Sequence, residues 1–232
     1  LHADMNNLIV RHQTEHYAIA GTISDARLLE YGRCLEFIYQ EYATGFAQLA
    51  STDRANVHVD GVKQTKEDKN VAQRNSLSGN YGDRFPVIIF ARPDEYDQFG
   101  ATYFPDSLEN TRGVFLRSLK LLVIRDDSVS SQTYEVLFHE AFHQFANRFT
   151  PFIPMWANEG LATYYGLARP TSSGLLFDKP AASYFRVVRE AGSARALIPL
   201  GQLMAMDRAQ FYSKEKVSNL KMSTKTLCYA QA

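Results

Sequence analysis

The chain has 232 residues, 45% of them hydrophobic, and includes 15 Phe and 13 Tyr. This length and composition suit one globular domain, or one domain with a small lobe, with enough apolar residues for a core, so the composition does not favour disorder. Lys and Arg together number 25, as do Asp and Glu, so the net charge is zero. A neutral chain predicts no nucleic-acid partner. No run of about 18 apolar residues occurs, so no transmembrane segment is expected.

Four apolar segments predict strands. They are HYAIAG at 16–21, FPVIIFA at 85–91, GVFL at 113–116 and KLLVIR at 120–125. Only Arg117–Leu119 separates the last two, which predicts a tight turn between neighbouring strands. Residues 51–84 are instead polar and without periodicity, which predicts a long surface insertion. Their composition favours a solvated loop over a substrate-facing flap.

Helical periodicity predicts the remaining elements. A long helix over 24–50 has Ser24 as its N-cap, and a short helix at 93–100 ends at Gly100. Further helices are predicted near 132–148, 155–166, 180–191 and 201–212. The final TLCYAQA predicts a helix that opens near residue 226 and is truncated by the end of the chain. The order of elements predicts an α+β fold, with a small mixed sheet backed by helices.

The two cysteines, Cys34 and Cys228, are too few for a disulfide scaffold and lack zinc-knuckle spacing. They can pair with each other or remain as buried thiols, and the sequence leaves both open. The chain begins at Leu1 rather than Met, which either removal of a signal peptide or a boundary within a longer sequence would explain.

The segment HEAFH, residues 139–143, carries the first chemical pattern. His139 and His143 are four residues apart, so on a helix they lie on one face and can bind one ion. Glu140 is offset from that face, where it can contact a water beside the ion. The alternative is a buried helix whose histidines bond to backbone carbonyls.

A catalytic zinc site needs a third protein ligand from another element. Glu159 is the candidate, because it follows a loop with two prolines and lies near the start of the next predicted helix. Gly160 and Ala162 are small, which would let this helix pack closely against the first. The alternative for Glu159 is an acidic residue favoured by the helix dipole in the first turn.

Together, HEAFHQF and PMWANEGLATYYG resemble the gluzincin metallopeptidases of the thermolysin-like clan. They are most similar to its small branch with a Trp-x-Asn-Glu-Gly-Leu-Ala-x-Tyr second motif. The resemblance implies one zincin-like domain over residues 1–232, with an antiparallel edge strand beside the active-site helix. It makes His139, His143 and Glu159 ligands of Zn²⁺ and Glu140 the general base.

The resemblance also implies roles outside the two motifs. Gly113, Val114 and Phe115 would pair with an extended peptide substrate by strand addition. Tyr229 would stabilise the oxyanion, although it can equally be a core tyrosine, and Tyr164 or Tyr165 can serve instead. Thr163 stands where an acidic partner of a ligand histidine is expected, so another acid or a carbonyl must orient that ring.

The predicted function is therefore a zinc-dependent peptidase that acts on peptide or protein, secreted or periplasmic. Two alternatives remain open. The domain can bind zinc as a non-catalytic peptide-binding or structural module, or it can hydrolyse another kind of amide. No motif for binding a substrate α-amine is present, so aminopeptidase specificity does not carry over.

Overall fold

The computed structural model describes seven segments of the chain. They are residues 11–47, 83–103, 111–127, 132–149, 153–178, 182–217 and 222–232. Nearly all of the predicted insertion at 51–84 lies outside these segments. Within them, no helix has the length and apolar character needed to cross a bilayer.

The described strands build a five-stranded mixed sheet in the order β1-β2-β3-β5-β4. The strands are β1 (His12–Gln13), β2 (Tyr17–Gly21), β3 (Phe85–Phe90), β4 (Gly113–Leu116) and β5 (Leu121–Arg125). The three central strands are parallel, and β1 and β4 pair antiparallel at the two edges. The expected α+β class and mixed sheet are confirmed. A small antiparallel ribbon, β6 (Arg169–Pro170) with β7 (Leu175–Leu176), was not predicted.

Eight α-helices are described. They are α1 (Asp25–Gly45), α2 (Pro93–Tyr103), α3 (Gln132–Phe149), α4 (Met155–Gly166), α5 (Ala182–Ser193), α6 (Leu200–Ala205), α7 (Arg208–Phe211) and α8 (Thr224–Gln231). As predicted, the Ser24 side chain caps α1, accepting a hydrogen bond from the N–H of Arg27.

Three predicted helix extents are wrong. Helix α1 ends at Gly45, with Phe46 as its C-cap, instead of continuing to residue 50. Helix α2 continues past Gly100 to Tyr103, because Phe99 and Tyr103 are buried against the sheet. That burial outweighs the cost of about 1 kcal/mol for an interior glycine. The single helix expected at 201–212 is divided into α6 and α7. Asp207 opens α7 with a capping box to Gln210, which requires a non-helical residue at that point.

The main core lies between the sheet and the helices α1 and α3. The buried Tyr42 hydroxyl of α1 donates a 2.6 Å hydrogen bond to the carbonyl of Phe138, which directly precedes His139 on α3. Cys34 belongs to this core, where burial raises the pKa of its thiol to about 11. Cys34 and Cys228 are both free, so they do not pair with each other.

The edge strand β4 lies directly against α3. A side chain at Gly113 would meet Val136 of α3 at 2.5 Å, so only glycine allows this approach. The predicted turn to β5 is a 3₁₀ turn at Arg117–Leu119, closed by Lys120 in the left-handed region at φ 52°. This geometry places the outer edge of the sheet beside the helix that carries the two histidines.

Candidate metal centre

Helix α3 presents His139 and His143 one turn apart on one face. Their Nε2 atoms are 3.1 Å from each other, and both rings are mostly buried, with 19% and 12% of their side-chain surfaces exposed. The helix holds them there because Leu137, Phe138 and Ala141 bury the opposite side of the same turns in the core.

Helix α4 runs back along α3 and supplies Glu159. Its carboxylate oxygen Oε2 lies 3.4 Å from Nε2 of His139 and 3.5 Å from Nε2 of His143. The side chain is 2% exposed, so an anion is held in the interior where only a cation or strong donors can offset its desolvation.

Small residues allow this close packing of helices, but not quite as predicted. Ala162 is fully buried in the shared core, and a side chain at Gly166 would meet the Glu135 carbonyl of α3 at 3.0 Å. Gly160 serves another contact, because a Cβ there would lie 2.5 Å from the carbonyl oxygen of Ala232. The expectation that Gly160 packs against the first helix is therefore wrong. It accommodates the end of α8 instead.

The three ligand atoms have the spacing of a metal site. Two donors at 2.0–2.1 Å from a tetrahedral ion are about 3.3 Å apart, and the observed separations are 3.1, 3.4 and 3.5 Å. Oε2 of Glu159 is buried and has no hydrogen-bond partner of good geometry among the described residues. An orphaned buried oxygen that faces two imidazole nitrogens fits a cation, so His139, His143 and Glu159 can hold a metal ion.

The charges around the site favour the same conclusion. Burial alone would raise the pKa of Glu159, but attraction to His139 and His143 outweighs it and holds that pKa well below its usual range. For His143, burial opposes the charged ring, yet Glu159, Glu140 and Asn158 raise its pKa above the usual value. The carboxylate therefore stays ionised and faces the imidazoles.

The second ring nitrogen of His143, Nδ1, lacks a hydrogen bond of good geometry among the described residues, although Asn158 lies near the ring. The hydroxyl oxygen of Thr163 is also buried, and it lacks a partner of good geometry among the described residues, although the Tyr184 side chain interacts with it. The acid or carbonyl expected to orient a ligand ring is thus not found at His143 in this part of the chain.

The Glu140 carboxylate is not grouped with the three ligand atoms and instead contacts the edge of the sheet. Its Oε2 accepts a 2.9 Å hydrogen bond from the backbone N–H of Phe115 on β4. Its charge still reaches the site, because it contributes to the raised pKa of His143. The carboxylate predicted to act as base is therefore held between the metal site and the edge strand.

The register of β4 decides which of its groups face outward. Arg125 N–H donates to the Arg112 carbonyl, and Gly113 lies opposite Ile124. Because antiparallel pairs alternate, Val114 pairs through its backbone with β5. Gly113 and Phe115 direct their backbone groups to the outer edge, where no described strand pairs with them. The role of Gly113, Val114 and Phe115 in pairing with a substrate stays a prediction. Of these three residues, Gly113 and Phe115 are the ones whose backbone groups point to the outer edge.

Tyr229 of α8 lies beside the site, with its ring stacked on His139 at a centroid distance of 6.3 Å. Burial, and then the charge of Glu159, raise the pKa of its hydroxyl. The two alternatives lie elsewhere. The Tyr165 hydroxyl lies close to Gly45 of α1, and Tyr164 is 53% exposed and stacks on Phe177. Tyr229 is therefore the best placed of the three.

Sequence reasoning missed Tyr212, which follows α7. Its hydroxyl donates a 2.6 Å hydrogen bond to Oε1 of Glu159, 53 positions earlier in the chain. No motif or periodicity marks this residue. The one local clue is the Asp207–Gln210 capping box, which starts the short helix in front of it.

Comparison with known proteins adds no identity to this site. No protein-family model matches the chain, and no curated protein matches it in sequence. The assignment of function consequently depends on the geometry described above.

Proposed function

We propose that the chain is a zinc-dependent peptidase with a zincin-like fold of the gluzincin type. The observation that carries the proposal is the buried, orphaned Oε2 of Glu159 facing the Nε2 atoms of His139 and His143. A second carboxylate, Glu140, directly follows His139 on helix α3 and accepts a hydrogen bond from the edge strand β4. A purely structural histidine pair needs neither feature.

The donor set favours zinc among the common metals. Two imidazoles and one carboxylate form a known set for catalytic zinc, which keeps a further position open. Calcium and magnesium prefer oxygen ligands instead. When bound, zinc would act as a Lewis acid and allow water to attack at neutral pH.

The chain's own residues would then divide the work. Glu140 would take a proton from the attacking water and pass it to the leaving amine. The Phe115 N–H orients its carboxylate. The Tyr229 hydroxyl, beside His139, would donate to the oxygen on which negative charge develops.

The outer edge of β4 supports a peptide as substrate. Gly113 offers an N–H and a carbonyl to a partner strand, and Phe115 offers its carbonyl. An extended peptide can add to such an edge through main-chain hydrogen bonds. That pairing would lay the peptide backbone next to Glu140.

The test measures metal content by mass spectrometry and cleavage of a mixture of unstructured peptides. The parent should hold one zinc per chain, and Glu159→Ala should lose it. Glu140→Gln should keep the zinc but lower cleavage at least about 100-fold, because the base is removed. Glu190→Gln, at an exposed position on α5, is the matched control and should behave as the parent.

Three results would contradict the proposal in different ways. A parent without zinc after full loading would remove the metal site itself. A Glu140→Gln variant as active as the parent would remove the assigned base. A zinc-loaded parent that binds peptides but cuts none would favour the non-catalytic binding module, and cleavage of other amides alone would favour a different hydrolase.

A further inference from the structure

The two oxygens of the Glu159 carboxylate have different partners. Oε2 faces the two imidazoles at 3.4 and 3.5 Å. Oε1 accepts the 2.6 Å hydrogen bond from the Tyr212 hydroxyl. A carboxylate bound in this way cannot turn about its Cγ–Cδ bond without breaking a short, charge-assisted hydrogen bond.

Tyr212 is itself firmly held. Its ring packs edge-on against Phe211 at 5.7 Å and lies 6.2 Å from the Tyr229 ring. The side chains of Arg208 and Lys225 each place a cation 5.2 Å from the ring centroid. Contacts to two residues of α7 and two residues of α8 thus restrict the orientation of the Tyr212 ring and of its hydroxyl.

We propose that Tyr212 is a positioning residue that makes Glu159 a one-oxygen ligand. By occupying Oε1, it leaves Oε2 as the only carboxylate oxygen turned towards the imidazole pair. The inference rests on the proposed metal site and adds a requirement to it. A carboxylate that bound through both oxygens would take the position that a catalytic zinc keeps open for water or substrate.

Removing the hydroxyl has a definite consequence. In Tyr212→Phe the ring and its packing remain, but Oε1 becomes a buried acceptor without its donor. The carboxylate is then free to turn and to offer both oxygens. Loss of such a partner of a metal ligand typically lowers metal affinity 10–100-fold, and we expect a decrease in that range.

The experiment compares the parent chain, Tyr212→Phe and Tyr164→Phe. Tyr164 is the matched control, because it is exposed on the helix that carries Glu159 and stacks on Phe177 outside the site. Zinc affinity is measured by competition with a chromophoric chelator. Cobalt(II) then replaces zinc, and its visible absorption, which is stronger for four-coordinate than for five-coordinate ions, reports the coordination. Thermal unfolding of each apo protein separates folding from binding.

We expect Tyr212→Phe to bind zinc 10–100-fold more weakly and to show weaker cobalt absorption, whereas Tyr164→Phe matches the parent in both. Unchanged affinity and absorption in Tyr212→Phe, with zinc still bound, would overturn the role of Tyr212 and leave the metal site standing. A lowered apo melting temperature with unchanged affinity would show a merely structural tyrosine and also overturn it. A parent that binds neither metal would overturn both the inference and the proposed function.

Discussion

Two buried carboxylates of this protein differ in how their oxygens are hydrogen-bonded. Asp126, which follows β5, is 6% exposed, and Glu159 on α4 is 2% exposed. Oδ1 of Asp126 accepts hydrogen bonds from the Arg27 guanidinium at 2.9 Å and from the Tyr31 hydroxyl at 2.7 Å. Its other oxygen lies 3.4 Å from Nε of Arg27. Among the described residues, Glu159 has a hydrogen-bond donor on Oε1 and none of good geometry on Oε2.

The difference separates a structural anion from a candidate metal ligand. A buried carboxylate that only stabilises the fold is stable when the chain itself satisfies both oxygens and supplies a countercharge, as Arg27 does for Asp126. A carboxylate that binds a cation must keep one oxygen unsatisfied within the chain. Burial by itself would not distinguish the two residues, but their hydrogen bonds do.

A second glutamate–histidine pair sharpens the comparison. Glu36 on α1 accepts hydrogen bonds from the backbone N–H of His16 at 2.8 Å and interacts with its Nδ1 at 2.7 Å. Both oxygens of Glu36 are thereby used by one residue. At Glu36, one histidine thus contacts both carboxylate oxygens. At Glu159, one carboxylate oxygen faces two histidines without a hydrogen bond of good geometry among the described residues.

The largest contrast is expected between Asp126→Asn and Glu159→Gln. The first places an amide against Arg27 and the buried Tyr31 hydroxyl, and should cost about 2–3 kcal/mol. For a chain of this size this is a fall of roughly 5–10 °C in the melting temperature. Glu159→Gln should change the apo melting temperature less, yet lower zinc affinity by at least about 100-fold, because a ligand matters more than its hydrogen-bond partners.

Thermal unfolding and chelator competition measure the two effects. Asp94→Asn is the control, because it removes an exposed pair with Arg92, a kind of contact worth about 0–1 kcal/mol. If Glu159→Gln destabilised the apo protein as much as Asp126→Asn does, the distinction between the two carboxylates would be lost.

A smaller effect should separate two neighbouring proline substitutions in β4. Val114→Pro removes an N–H that pairs with β5, whereas Phe115→Pro removes an outward N–H that binds Glu140. Edge strands tolerate proline where the N–H faces outward. Val114→Pro should therefore lower the melting temperature more. Phe115→Ala, which keeps the N–H, controls for loss of the ring, and equal melting temperatures for the two proline variants would contradict the register.

The smallest effect concerns pH and the Glu36–His16 pair. Burial opposes the charge of Glu36, but hydrogen bonds from Thr14 and His16 outweigh it and lower the pKa of Glu36. A lowered folded-state pKa stabilises the protein above the unfolded value, about 4.3 for glutamate, and that stability is lost as the pH falls through the folded value. The free energy of unfolding of the parent should thus exceed that of Glu36→Gln at pH 6, and the gap should close below about pH 4. A gap that widened towards acid would reverse the assigned sign.

The helices of the metal site could be predicted from the sequence because their causes are local. Apolar periodicity and the prolines of the intervening loop define α3 and α4, whose observed bounds differ from those expected by at most one residue. The four-residue spacing of His139 and His143 then places their rings on one face. Glu159 could be predicted because it lies near the start of the next helix, Met155–Gly166, which returns along the first.

The rest of the site depends on contacts that no local pattern encodes. Tyr212 reaches Glu159 because Phe211, Leu203 and Cys228 form a small separate core that fixes α7 beside α4. Gly160 looked like a contact to α3 but accommodates Ala232 instead. The contact partners of Tyr212 and Gly160 are determined by the packing of segments that are far apart in the chain, and no local sequence pattern predicts them.

The alternation along β4 has a consequence for how a partner strand could be placed. Only every second residue of the edge presents its backbone outward, so a strand added there can move only in steps of two residues, about 6.8 Å. A one-residue slip would set donors against donors and turn each side chain to the opposite face. The Phe115 N–H already donates to Glu140, so it is not available to an added strand. The possible registers of such a strand are therefore spaced two residues apart, and their positions are defined relative to Phe115 and the Glu140 carboxylate.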